Sequence, residues 1–359
     1  MGRARRLGQG APSPSDLAVT PRIAARQPVL RYHSPIRIAT TALLVLLAAC
    51  ASEPLDEAFD AAARVPDITS LSVRRDGVVV REAYYRGTDA NTAHDVRSVT
   101  KTVTSLVVGI AVDTGCLTSL DQTIGALLGG PALTDPAKAA ITLRDLLTMT
   151  SGFAWQEIGA VGYNAWVGAP DQVEYVLLRP LDTMPGTTFN YNSGALHLLS
   201  AIVTRACSPT AEFAAQHLLD PLDIVSRPWE SDHQGITNGA AGLQLSTTEM
   251  ASIGQLILEH GQRRGTQVVP AAYIDMATTA KTPTGIAGAS YGFGMWIDHD
   301  PSGALLALAE GYGGQFIVVA PKPHAVIVAT TNWQGIGAQA TKNYDQLRDV
   351  IITQIVPAL

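Results

Sequence analysis

Between residues 96 and 115 the apolar positions Val103, Leu106, Val107, Ile110 and Ala111 recur at i, i+3, i+4, i+7 and i+8, the spacing of one helical face. Val99, Val108 and Val112 fall off that face, so the pattern predicts a helix covered on most sides, with Gly115 placed to end it. Upstream, residues 55–64 predict a helix, and 68–86 form two β-rich runs around Asp76-Gly77, a dipeptide suited to hairpin turns. Downstream, helical segments fall at 120–128, 142–148, 171–178 and 193–207, with loops between them. Thr142 with Asp145, and Ser246 with Glu249, have capping-box spacing, and the second opens a helix reaching His260. Strands are expected at 291–297, 304–309, 315–320 and 325–332, and a helix at 340–356. The order predicts an α+β fold, an antiparallel sheet flanked by helices plus a mostly helical lobe. The sheet lobe takes in about 65–95 and 221–359 and the helical lobe about 96–220. The 96–115 helix lies at their seam, a common place for a pocket.

Composition adds that the chain is globular: 359 residues, 47% hydrophobic and 16% charged, without low-complexity tracts. Residues 1–49 stand apart, with seven arginines and one acid, Asp16. After Arg31 and Arg37 comes a twelve-residue apolar run, 38–49, too short to span a bilayer and suited to a signal peptide. It ends in Leu47-Ala48-Ala49-Cys50, which resembles a bacterial lipobox, with Cys50 lipidated as the first mature residue. The expectation is an exported lipoprotein held to the membrane through Cys50. Ala51, in place of aspartate, points to the outer membrane facing the periplasm. Residues 50–64 would be a linker and first helix, and 65–359 the catalytic domain. Removing 1–49 takes the net charge from −6 to about −12, which argues against nucleic acid as a partner. Cys116 and Cys207 then remain as a pair, either a disulfide or two buried thiols.

The candidate chemistry is Ser98-x-x-Lys101 at the start of the apolar helix. Three residues is nearly one turn, so both side chains project from one side. A serine hydroxyl needs a base, and lysine serves as one only when burial and a helix N-terminus lower its pKa. The same four letters also describe a serine cap beside a solvated lysine. No His-Glu-x-x-His or Cys-x-x-Cys is present, so no metal site is indicated, and no cofactor is expected. Trp155, Tyr163, Trp166 and Trp296 are candidates to line an acyl pocket or to pack in the core, and His94 and His233 are candidates for its border.

Over about residues 65–355 the chain resembles the serine β-lactamase and penicillin-binding-protein-like hydrolases. It is most similar to their class C-like esterases, D-peptidases and 6-aminohexanoate-dimer-hydrolase-type amidases. Ser98-Val99-Thr100-Lys101 matches the first family element, and residues 143–152 and 242–251 resemble framework stretches. Tyr191-Asn192-Ser193 resembles the Tyr-x-Asn element, with serine in the asparagine place. Tyr312-Gly313-Gly314 stands where the family has Lys-Thr-Gly. The resemblance implies a β-lactamase/transpeptidase-like fold and a serine hydrolase acting on a small ester or amide through an acyl-enzyme. Ser98 would be the nucleophile, Lys101 its base and Tyr191 a proton relay. The N–H groups of Ser98 and Gln315 would form the oxyanion hole, and Ser193, Tyr312, Gly313, Gly314 and Trp155 would meet the substrate. The missing asparagine and lysine weaken β-lactam recognition and favour carboxylesterase action, with amidase or D-peptidase action second. A protein of this fold that binds or is acylated without turnover is the contrasting expectation.

Overall fold

A computed structural model describes residues 53–158, 162–225, 227–286, 288–334 and 337–359. The expected signal segment and the Cys50 anchor lie outside the described residues. Helix α1 (Pro54–Ala63) leads into strands β1 (Ile68–Arg75) and β2 (Val78–Tyr84). Their turn residues Asp76 and Gly77 both take positive φ, 51° and 75°, as the tight hairpin turn requires. Strand β3 (Ala93–Asp95) precedes α2 (Val99–Asp113), the long apolar helix. The middle of the chain adds α3 (Leu143–Leu147), α4 (Tyr163–Val167), α5 (Gln172–Leu177) and α6 (Ser193–Ala206). Then come β4 (Gln244–Ser246), α7 (Thr247–Leu258) and α8 (Ala271–Ala277). The chain finishes with β5 (Thr282–Pro283), β6 (Ser290–Tyr291), β7 (Trp296–His299), β8 (Leu305–Gly311), β9 (Gln315–Ala320), β10 (Ala325–Thr331) and α9 (Gly337–Val350). Both expected capping boxes form, Thr142 with Asp145 and Ser246 with Glu249.

One eight-stranded sheet runs β2-β1-β10-β9-β8-β7-β6-β5, all antiparallel. Its central strands are buried on both faces, so their sequences read as unbroken apolar runs rather than alternating ones. On one face Leu71, Ala329 and Phe316 form a row across β1, β10 and β9 and pack with residues of α1 and α9. On the other, Ile317 and Val328 are paired across β9 and β10 and join the larger core with α2, α6 and α7. From Val99 to Ala111 every residue of α2 is buried. Cys116 and Cys207 are half-buried free thiols in hydrogen-bond contact. Burial and that contact push the Cys207 thiol up to about 12.

Two features depart from the pattern. The single strand expected over 291–297 is two short ones, β6 and β7, because Gly292 N–H bonds the Met295 carbonyl at 2.9 Å and closes a turn. The turn presents the Phe293 and Gly294 carbonyls to the Ser105 and Thr102 hydroxyls of α2, each at 2.8 Å. The small β3–β4 sheet was not expected. It pairs Asp95 with Gln244 and anchors the approach to Ser98.

Candidate active site

The backbone bends sharply between β3 and α2. Arg97 sits in the left-handed region at φ 50°, an uncommon conformation for a side-chain-bearing residue. Asp95 holds it there, accepting from the Arg97 N–H at 2.9 Å and its guanidinium at 3.2 Å. The bend delivers Ser98 to the head of α2 in a helical conformation, where its hydroxyl makes no cap. Instead Lys101 Nζ lies 2.8 Å from Ser98 Oγ. The second Lys101 bond goes to the Ala240 carbonyl at 3.0 Å. Among the described residues no carboxylate pairs with this lysine, and it is 1% exposed. Burial brings its pKa down to about 8, against an opposing pull from Glu157 and with a further push from Arg97.

The Ala240 carbonyl is itself positioned. Asn238 Oδ1 accepts from the Ala240 and Ala241 N–H groups at 2.9 and 3.2 Å. The neighbouring Gly239 N–H donates to His197 Nδ1 at 3.4 Å. That fixes the tautomer, so Nε2 of this fully buried histidine donates to Asp232 at 3.0 Å. Gly239 is required here: a Cβ would lie 2.6 Å from the Leu196 carbonyl of α6.

Tyr191 arrives from the turn before α6, where the Asn192 side chain caps the helix by accepting from Ala195 N–H at 2.9 Å. Lys101 Nζ lies 5.0 Å from the Tyr191 ring centroid, and the ring stacks on Trp296 at 5.7 Å. Burial pushes the Tyr191 phenol well above its ordinary range, Glu157 adds to this, and a hydrogen bond with Ser98 opposes it. The resting group is therefore a neutral phenol.

That carboxylate, Glu157, is the site residue that the sequence did not disclose. It accepts from Trp155 Nε1 at 2.7 Å, from the Ser193 N–H at 3.1 Å and, in a very short contact, from the Ser193 hydroxyl. Trp155 and Ser193 are thus buried behind Glu157 rather than turned toward a substrate. No local motif marks Glu157. Its place depends on the 151–158 loop meeting the head of α6.

The β8–β9 hairpin closes the site. Gly311 pairs with Gln315 across its turn, and a Cβ on Gly311 would lie 2.4 Å from the Val96 carbonyl, so the hairpin rests directly on the segment leading to Ser98. The buried Gln315 side chain donates to the Thr331 carbonyl at 3.1 Å and hydroxyl at 3.0 Å. The Thr331 hydroxyl donates to the Gly313 carbonyl at 2.6 Å. Gly313 and Gly314 are buried backbone, whereas Tyr312 is 43% exposed. A cavity of about 320 Å³ opens over Ser98, lined also by Arg97, Glu157, Ile158, Tyr163, Asn164 and Tyr312. Trp166 is buried behind this wall, and His94 and His233 lie outside the lining, near Thr330 and the Ala169 carbonyl.

Solved structures share this architecture. A protein assigned as a 6-aminohexanoate-dimer hydrolase in Bacillus anthracis superposes with a TM-score of 0.68 at 21% identity, covering 80% of this chain and 79% of that one. The hydrolase EstCE1, with promiscuous acyltransferase activity, gives 0.64 at 18% identity, covering 82% and 97%. A D-stereospecific amidohydrolase from Streptomyces sp. gives 0.62 at 16% identity, covering 81% and 98%. A curated protein assigned to fimbrial assembly in Dichelobacter nodosus is 33% identical over 123 residues, which is 33% of this chain and only 30% of that protein. The Beta-lactamase family model matches residues 56–351. By that match this chain belongs to the beta-lactamase family.

Proposed function

We propose that the protein hydrolyses a small carboxylic ester through an acyl-enzyme on Ser98, with amide or D-peptide cleavage as the second reading. The observation that carries the proposal is the 2.8 Å contact between Ser98 and a buried lysine that, among the described residues, has no carboxylate partner. Neutral Lys101 takes the Ser98 proton, and Ser98 Oγ bonds to the substrate carbonyl carbon. The oxyanion is met by the N–H groups of Ser98 and Gln315 and by the N-terminal end of α2. Tyr191 gives its phenolic proton to the leaving group and is reprotonated from Lys101. Water then attacks the acyl carbon, and the protons return by the same route. The ester preference is supported by Tyr312 in the family's lysine place and by Ser193 being occupied with Glu157, which leave a β-lactam carboxylate without its usual partners.

The test is steady-state hydrolysis of p-nitrophenyl esters of rising acyl length, with nitrocefin alongside, by wild type and Ser98→Ala. Ester turnover that is absent in the variant, with nitrocefin untouched, is expected. Equal rates in the two proteins sink the mechanism, and one equivalent of acylation without release assigns a binding or sensing role. The lipobox supports a further part of the proposal, that the enzyme works in the periplasm on a lipid at Cys50. Cys50→Ala is expected to move it from the membrane to the soluble fraction.

A further inference from the structure

We propose that Cys116 and Cys207 are a redox-active pair that closes to an intramolecular disulfide at the expense of an oxidised dithiol, and that the bond staples the far ends of α2 and α6. Cys116 lies in the turn after α2, and Cys207 is the residue that ends α6. Their thiols are in hydrogen-bond contact, and both side chains pack against the core that the two helices share. Thr114 Oγ1 lies 3.7 Å from Cys116 Sγ, and the Cys207 N–H donates to the Val203 carbonyl at 2.9 Å, so each cysteine is tied to its own helix end. Thiols already in contact have the short approach that a disulfide needs. Both are half-buried, while Asp113, Thr114, Gly115, Arg205 and Ala206 beside them are exposed. The pair is therefore open to a reagent from the surface. It has no part in the chemistry at Ser98: α2 is fifteen residues long, which puts about 20 Å between its two ends.

The step balances as a thiol–disulfide exchange. The Cys116 thiolate attacks one sulfur of the reagent's disulfide, breaks it, and releases the first reagent thiolate. Cys207 is the second to react, because burial and its contact with Cys116 hold its thiol up at about 12. Once Cys116 is in the mixed disulfide that contact is spent, and the Cys207 proton is easier to lose. Cys207 then attacks the Cys116 sulfur and displaces the second reagent thiolate. The chain gives up two electrons and two protons, and the reagent takes them as two thiols. Export to an oxidising compartment, part of the proposal above, would supply such a reagent. The loop closed runs from residue 116 to residue 207 and carries α3, α4, α5 and α6. A bond across so long a loop restricts the unfolded chain strongly. It also fixes α6 against α2, the helices whose heads adjoin Tyr191 and Ser98.

The test treats the reduced, folded full-length chain with oxidised glutathione, quenches with N-ethylmaleimide, and maps the cysteine peptides by mass. Mapping by peptide keeps Cys50 out of the count. The peptides that hold Cys116 and Cys207 are expected to be joined to each other, with neither maleimide nor glutathione on either. Thermal unfolding followed by circular dichroism then compares the oxidised and reduced chains. The oxidised chain is expected to melt about 5 °C higher or more, and the gap should vanish in the double variant Cys116→Ala, Cys207→Ala. If that variant does not fold, the peptide map and the wild-type melting pair decide the matter by themselves. Two maleimide-labelled thiols, glutathione retained on either cysteine, or a bond to another chain overturns the proposal. So does a bond that forms and leaves Tm unchanged, since it would staple nothing. None of these results depends on whether the protein hydrolyses esters.

Discussion

Two ionisable side chains are buried on opposite faces of the same sheet, and their surroundings could hardly differ more. Glu310 of β8 pairs with Phe316 in the row that faces α1 and α9. It accepts from Arg348 Nε at 2.9 Å and, in a very short contact, from the Tyr344 hydroxyl, while Arg348 also donates to Asp298 at 2.5 Å. Burial pushes its pKa up, and Arg348 and Tyr344 pull it back. Lys101, on the α2 face, has a hydroxyl and a carbonyl as acceptors, and among the described residues no carboxylate forms an ion pair with it. The comparison teaches that burial alone is not the mark of a functional charge. A buried charge with its partners supplied is architecture, and one left between charge states near neutral pH is reactive.

The largest expected effects break the reactive side of that contrast. Ser98→Ala should lower kcat on the best ester by about 10⁴-fold or more, measured at saturating substrate. Lys101→Met should lose activity on a similar scale and yet gain stability at pH 7, on the order of 1–3 kcal/mol by urea unfolding. The sign follows from the shift: with a folded pKa near 8 and an ordinary value of 10.5, the unfolded chain binds the proton more tightly. The penalty is therefore complete below pH 8 and fades as the pH rises to 10.5. A variant less stable than wild type at pH 7 would break the comparison.

On the architectural side the roles reverse. Arg348→Ala strands Glu310 and should cost about 3 kcal/mol of stability, while kcat per folded molecule at low temperature stays within threefold. Loss of turnover in a fully folded protein would show that the two regions are not separable. Smaller again, Asp232→Asn replaces the carboxylate that accepts from His197 Nε2 with a neutral amide and so loosens the Ala240 carbonyl. About a tenfold fall in kcat with little change in KM is expected, and a purely structural role would leave kcat of the folded fraction intact. The smallest effect belongs to Tyr312→Ala, a rise of a few-fold in KM, since the side chain is exposed and, among the described residues, hydrogen-bonded to nothing that orders the site.

The sequence made much of this legible where the signal is local. The period of α2, the Asp76-Gly77 turn and the two capping boxes each depend on residues within a few positions of one another, and each is in place. Ser98 and Lys101 are one helical turn apart, so their contact was readable too. Glu157 was not, because its role comes from a loop meeting a helix head 36 residues later. Ser193 and Trp155 were named for the right neighbourhood, but only packing shows that they face Glu157. The short strands β6 and β7 were hidden because the turn between them is held by hydroxyls of α2, an interaction far off in sequence.

The measurement that tests the central claim most directly is the pH dependence of Ser98 phosphonylation by an active-site-directed fluorophosphonate, with fluoride leaving, followed by intact mass. The account predicts one equivalent of label on Ser98, at a rate that climbs through a single ionisation near pH 8 and that collapses across the whole range in Lys101→Met. A rate independent of pH between 6 and 10, label on another residue, or equal labelling in Lys101→Met would contradict a buried lysine acting as the base.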